Sequence, residues 1–225
     1  MRKLSMNTDN TKSKCFIDFD GTIIDNKWRL FQFFCDNIEE KYNKTLNIEE
    51  FWNLKKMGIH ELEWLNQKYS ANLSIEEWNN KKKEKIEDYN YLKHDRIFTY
   101  TYQVLEKLKK KYILILVTRR DNLPGFFYEL NHLKLTDYFQ NILVIPHNGK
   151  EKSSLILENY KVDPKDMMVG DTEDDIVAGV KLGIQTFFTL SGIRSSWIIE
   201  KYKLNLLVTT IKDIRCLVEN EIFEE

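Results

Sequence analysis

The chain lacks an excess of charge of either sign: 34 Lys and Arg face 35 Asp and Glu, a formal net charge of -1 over 225 residues. Such a balance gives no basic field to gather DNA, RNA or an anionic membrane surface, so nucleic acid is not expected as a partner. No run approaches the ~20 apolar residues of a membrane span. The opening MRKLSMNTDNTKSK is polar, without the apolar core of a secretory signal, and a cytoplasmic protein with no membrane partner is expected. Cysteine is scarce. Cys15, Cys35 and Cys216 are odd in number and far apart, without the paired spacing of a zinc site, so they read as reduced thiols with no assigned chemistry. No internal repeat is visible. The one low-complexity stretch, Lys81-Lys82-Lys83-Glu84-Lys85, reads as the solvated face of a helix.

What is present is a globular composition, 42% hydrophobic and 31% charged, on a chain long enough for one core with an insertion. Short apolar runs at Cys15 to Phe19, Tyr112 to Val117, Ile142 to Ile145, Met167 to Val169 and Ile184 to Phe188 predict strands. Helical patterns fall between the later ones, at Thr99 to Lys110, Leu123 to Leu133, Ser153 to Tyr160 and Asp174 to Leu182. Alternation of this kind implies right-handed crossovers, hence an α/β fold with a doubly wound, mostly parallel sheet.

The stretch from Asn26 to Asp95 breaks the alternation. It carries apolar and aromatic residues at helical spacing (Trp28, Phe31, Phe34; Phe51, Leu54; Leu62, Leu65, Tyr69; Ile75, Trp78) and no evident strand. The expected organisation is an α/β core from 14–25 and 96–225, a helical insertion at 26–95, and a loosely ordered tail at 1–13.

Ligands of open parallel sheets sit beyond the carboxyl ends of the strands, which makes polar residues there the candidates. The first strand ends in Asp18-Phe19-Asp20-Gly21-Thr22. On an extended chain Asp18 and Asp20 point the same way and Phe19 points into the core. Two converging carboxylates repel unless a cation lies between them, and oxygen donors suit Mg2+; the alternative is an Asp-Gly turn with solvated acids. Gly21 permits the turn that brings backbone close to a ligand. The second strand ends in Thr118-Arg119-Arg120-Asp121, where the hydroxyl either binds a phosphate oxygen or caps the next helix. Lys152 opens a later helix, with Lys150 as its competitor for neutralising a phosphate. Gly170-Asp171-Thr172-Glu173-Asp174-Asp175 follows another strand: Thr172 and Asp175 suit a capping box, whereas Asp171 precedes the cap and can supply a metal ligand.

In this order, DFDGT, Thr118, Lys152 and GDTEDD resemble the four signature motifs of the haloacid dehalogenase superfamily, over about Lys14 to Leu190. The resemblance implies a Rossmann-like core with the helical insertion as a C1-type cap. It makes Asp18 the nucleophile that takes a phosphoryl group and Asp20 the general acid and base. Thr118 would hold phosphoryl oxygens, and Lys152 would steady the charge. Mg2+ would be held by Asp18, the Asp20 backbone carbonyl, Asp171 and Asp175. Candidate substrate contacts are Gly21, Thr22 and Arg119, with Lys56 and His60 from the cap stretch Lys55-Lys56-Met57-Gly58-Ile59-His60; Arg120 is a further candidate beside Arg119.

The expected function is hydrolysis of a small-molecule phosphate monoester. A sugar phosphomutase resembling β-phosphoglucomutase and a non-catalytic binding module on the same fold are the alternatives. Dehalogenation is disfavoured because that branch does not use the second aspartate, present here as Asp20. The lysine motif is Lys-Ser-Ser where phosphoglycolate-phosphatase-like members commonly have Lys-Pro, which leaves the subfamily open. No residue pattern selects an oligomeric state.

Overall fold

The computed structural model describes residues 12–202 and 208–219, so the expectation for the tail at 1–13 lies almost wholly outside the described residues. The strands are β1 (Lys14–Ile17), β2 (Ile24–Asp25), β3 (Arg96–Ile97), β4 (Ile113–Arg119), β5 (Asn141–Ile145), β6 (Met167–Gly170), β7 (Gln185–Thr189) and β8 (Val208–Ile211). Six form one parallel sheet in the order β5-β4-β1-β6-β7-β8. The chain builds outward from β1 in one direction through β4 and β5, then returns to its other side for β6, β7 and β8. This reversal leaves the crevice of a doubly wound sheet at the carboxyl end of β1.

The helices are α1 (Lys27–Asn37), α2 (Glu40–Asn43), α3 (Ile48–Lys56), α4 (Glu61–Tyr69), α5 (Ile75–Lys85), α6 (Tyr89–Leu92), α7 (Thr101–Lys111), α8 (Leu123–His132), α9 (Lys152–Asn159), α10 (Glu173–Leu182), α11 (Trp197–Tyr202) and α12 (Cys216–Glu219). Strand alternation sorts the core into two faces. Cys15, Ile17, Leu114, Leu116, Met167 and Val169 pack with Leu105, Leu108, Phe126 and Leu130 of α7 and α8. Their sequence neighbours Phe16, Ile115, Val117 and Met168 pack on the other face with Ile156 of α9. Burial on both sides explains why these strands read as continuous apolar runs.

Helices α1 to α6 have a cluster of their own, built on Phe33, Phe34, Phe51, Trp52, Leu62, Leu65 and Trp78. Phe33 meets Trp78 edge-on with ring centroids 5.2 Å apart. Each such buried side chain contributes roughly 1.5–3 kcal/mol of transfer free energy. Two expected core residues sit outside: Trp28 and Tyr69 are exposed, and the Trp28 ring instead stacks under Arg96. The helical lobe is entered and left through a two-residue antiparallel ribbon, Ile24 opposite Ile97 and Asp25 opposite Arg96. Sequence periodicity gives no signal for strands this short. Among the described residues, no helix is long and apolar enough to cross a membrane.

Candidate active site

Beyond β1 the chain stays tied to the sheet for one more residue, since the Asp18 N–H donates to the Val169 carbonyl at 2.9 Å. The Asp18 side chain is buried. Lys152, the first residue of α9, is buried as well, and its ammonium donates to Asp18 Oδ1 at 2.7 Å and to Asp175 Oδ1 at 2.6 Å. Asp175 also closes the capping box of α10, accepting from the Thr172 N–H at 3.1 Å and hydroxyl at 2.6 Å on Oδ2. It therefore caps the helix with one oxygen and faces the site with the other. Asp171, just past β6, accepts the Ile193 N–H at 2.6 Å and the Thr22 hydroxyl at 3.4 Å.

Asp18, Asp171 and Asp175 thus bring carboxylate oxygens within 4.8 Å of one another, all three buried. Burial, then repulsion by Asp175 and Asp171, drives the Asp18 pKa well above the usual carboxylate range against the pull of Lys152. Asp171 is pushed up to about 7, by burial first and Asp175 second. Burial works against the Lys152 ammonium, but Asp175 and Asp18 raise its pKa above the ordinary lysine value. Three buried acids against one ammonium leave uncompensated negative charge, and their hard oxygen donors fit a divalent cation such as Mg2+.

The packing around these acids requires glycine in two places. Gly21 has φ +71°, and a Cβ there would lie 2.4 Å from Asp171 Oδ2. At Gly192 it would lie 1.9 Å from the same oxygen.

Asp20 lines the same cleft as Asp18 but stands outside the carboxylate trio. Phe19 turns into the core, β1 ends at Ile17 and the chain bends at Gly21. The Asp20 carboxylate meets Arg120, through Nε at 2.8 Å and Nη2 at 3.0 Å, together with Asn26 at 3.2 Å and an ion pair to Arg29 of α1. Burial alone would raise its pKa; the two guanidinium groups, Arg120 ahead of Arg29, outweigh that and hold it at about 2. Asp95 and Glu129 lie behind these arginines, at 3.1 Å from Arg29 and 3.0 Å from Arg120.

A cleft of about 270 Å³ runs between the sheet and the lobe, lined by Asp18, Asp20, Thr118, Arg119, Lys152 and Asp171 from the sheet side. Thr118 is buried there at the tip of β4. Arg119 pairs with Asp174, Nε to Oδ2 at 2.7 Å, and donates to the Pro146 carbonyl at 3.1 Å. Of the two competing lysines, Lys150 is exposed and pairs with Glu158, leaving Lys152 in the site. Gly21 and Thr22 lie behind the cleft, against Asp171. Lys56 donates from Nζ to the Leu190 carbonyl at 2.9 Å, joining lobe to sheet. His60 is the N-cap of α4, accepting the Leu62 N–H at 3.2 Å on Nδ1, and does not line the cleft.

Arg29 and Lys82 are among the cleft residues not singled out from the sequence. Arg29 sits in an apolar helical pattern that gave no reason to expect a buried cation. Lys82 belongs to the lysine run read as a solvated face; the run is mainly that, with Lys81 and Lys83 exposed, but α5 turns Lys82 into the cleft.

Comparison with known proteins gives a consistent assignment. The profile of the haloacid dehalogenase-like hydrolase family matches residues 16–189. A search of curated proteins returns no match. Among solved structures, a predicted phosphoglycolate phosphatase from Haemophilus somnus 129PT superposes with a TM-score of 0.70 at 17% identity, covering 95% of this chain and 100% of the other. A predicted phosphatase from Clostridium acetobutylicum gives 0.64 at 18% identity, over 95% and 99% of the two chains. The Bacillus subtilis protein YfnB, in a magnesium-bound form, gives 0.58 at 16% identity, over 93% and 98%. At these identities the structures speak for the fold, and the profile match, spanning well over half the chain, speaks for the family: this protein belongs to the haloacid dehalogenase-like hydrolases.

Proposed function

We propose that the protein is a Mg2+-dependent phosphatase that hydrolyses a small phosphate monoester through a phosphoryl group carried on Asp18. The observation that carries this reading is the trio of buried carboxylates, Asp18, Asp171 and Asp175, gathered within 4.8 Å around a single ammonium at the end of β1. A buried charge imbalance of this kind is costly unless a cation occupies the site in the working protein. Asp18, Asp171 and Asp175, with the Asp20 backbone carbonyl, are the groups that would hold Mg2+; when bound, it supplies positive charge to the carboxylates and to the phosphoryl oxygens. The magnesium-bound form of YfnB and the phosphatase descriptions of two other neighbours favour the same chemistry.

In this reading Lys152 holds Asp18 by Oδ1 and orients the carboxylate towards the cleft. Asp18 attacks phosphorus, the P–O bond to the alcohol breaks, and Asp20 gives the leaving oxygen its proton. Water then attacks the phosphorus of the aspartyl-phosphate while Asp20 takes a proton back, releasing phosphate and restoring Asp18. The Thr118 hydroxyl, at the strand tip, is the candidate to hold a phosphoryl oxygen. Asp20 paired with two arginines is ionised, which suits the base; the acid step requires at least one arginine to be drawn off it. The helical lobe acts as the cap that covers the cleft and limits water.

The test is phosphate release from p-nitrophenyl phosphate and a panel of sugar, nucleotide and small-acid phosphates, with Mg2+ and with EDTA. Mg2+-dependent release that Asp18→Asn abolishes is the expected result. An isomerised sugar phosphate without free phosphate would replace this reading with the mutase one, and halide release without Mg2+ would overturn both.

A further inference from the structure

The lobe side of the cleft carries a cation that makes no ion pair or side-chain hydrogen bond among the described residues. Lys82, in the last turns of α5, lines the cleft together with Arg29, opposite the acids that end β1 and β6. The neighbouring cations each have a carboxylate: Lys55 pairs with Glu61, Arg194 with Glu173 at 3.1 Å, and Arg29 with Asp20 and Asp95. Lys82 makes no side-chain hydrogen bond or ion pair among the described residues. Its surroundings are positive enough that repulsion from Lys55, then burial, then Arg29 and Arg194, brings its pKa down to about 8 despite Glu61. Beside it, Nε of the buried Arg29 has no hydrogen-bond acceptor, whereas Arg29 Nη1 stands 3.1 Å from Asp95 Oδ2. An unpaired ammonium beside an unsatisfied guanidinium N–H in one small cleft is unfavourable, and an anionic ligand group offers both what they lack.

We infer that Lys82, with Arg29 beside it, forms a subsite for a second anionic group of the substrate. The substrate class is then a short phosphate monoester bearing a further carboxylate or phosphate, and Lys82 is the residue that selects it. The inference rests on the phosphatase reading for the place of the reacting phosphoryl group, at Asp18, Lys152 and Thr118. A ligand anchored there reaches Lys82 only by crossing the cleft. With a cleft volume of about 270 Å³, at the small end for ligand sites, the link between the two anions is short. Neutral sugar rings and nucleosides would place an uncharged face against the ammonium and leave it unpaired.

Binding of non-hydrolysable probes tests the subsite without requiring turnover. Calorimetry in the presence of Mg2+ would compare methylphosphonate, with one anionic group, against phosphonoacetate and methylenebisphosphonate, which add a carboxylate or a second phosphonate. The full-length protein is expected to bind at least one of the two longer probes tenfold or more tightly than methylphosphonate, and which one identifies the second group. Lys82→Ala and Lys82→Gln should reduce that preference to threefold or less, whereas Lys83→Ala, which removes an exposed charge one residue away, should keep it. Circular dichroism melts identify any variant that fails to fold, and the two Lys82 substitutions guard against that outcome. Equal binding of all three probes by the parent protein, or the same preference in the folded Lys82 variants, would overturn the subsite. Failure of the phosphatase reading shows elsewhere, as absent phosphate release across the ester panel.

Discussion

Arg29, on the first helix of the lobe, forms an ion pair with Asp20, in the loop that follows the first strand of the sheet. One residue of the lobe thereby adds to Arg120 in holding Asp20 ionised, and the lobe and the candidate site are electrostatically joined. Arg29→Met leaves Asp20 with Arg120 and Asn26, one guanidinium fewer, so the Asp20 pKa should rise from about 2. Carboxyl carbon NMR read against pH measures this directly. The substitution also removes the nearer cation from buried Asp95, leaving Arg120 at 4.0 Å, and unfolding in urea should show a loss of about 3 kcal/mol.

Removing charge from the acidic trio should affect stability in opposite directions with and without metal. Asp18→Asn relieves repulsion among Asp18, Asp171 and Asp175, so the metal-free variant should melt at or above the parent protein. Mg2+ at a hundredfold over its Kd should stabilise the parent by about 2.7 kcal/mol, and Asp18→Asn or Asp171→Asn should lose most of that gain in a thermal melt.

Gly192 gives a test that changes no charge. A methyl group at that position would meet Asp171 Oδ2 at 1.9 Å, so Gly192→Ala must displace the carboxylate or the loop. Overpacking of this sort costs about 1–3 kcal/mol. Melting with and without Mg2+ should show a destabilised protein whose response to Mg2+ is weakened, although every acidic residue is intact.

The lobe should have its own acid sensitivity. Glu61 is buried and pairs with Lys55 while accepting the Trp78 indole N–H at 3.0 Å. Burial would raise its pKa, but Lys55 and Lys82 overcome this and bring it from 4.5 to about 2. Because the folded value is the depressed one, the stabilisation is complete above pH 4.5 and is lost as the pH falls towards 2. The contribution is on the order of 3 kcal/mol. Glu61→Gln should flatten the fall in stability over that window, as measured by urea unfolding at a series of pH values.

The contrast between Lys152 and Lys82 shows what could be read from the chain alone. Lys152 was legible because DFDGT and GDTEDD fix the strand tips around it, and the choice between Lys150 and Lys152 then reduced to one turn of a helix. Lys82 was not, since nothing in Lys81-Lys82-Lys83 says which member α5 turns inwards; that depends on how the lobe seats on the sheet. Arg29 is similar, a cation in an apolar helical pattern whose partners, Asp20 and Asp95, lie after β1 and just before β3. Five of the six strands were visible as apolar runs, most clearly β1, β4 and β6, whose residues are buried on both faces. The Ile24–Asp25 and Arg96–Ile97 ribbon and the outer β8 escaped notice because two to four residues, partly exposed, carry too little pattern.

The central place of β1 also has a consequence for biosynthesis. Its neighbours are residues 113–116 on one side and 167–169 on the other, so β1 waits until residue 113 is made for one edge to be covered and until residue 167 for the other. The helical lobe, whose contacts are local, can order while β1 is still unpaired. The acidic trio draws on Asp18, Asp171 and Asp175 and cannot assemble until α10 has been synthesised. A nascent chain stalled before that point carries Asp18 without the two acids that join it, and a chain in which the trio has gathered has already paired β1 with β6.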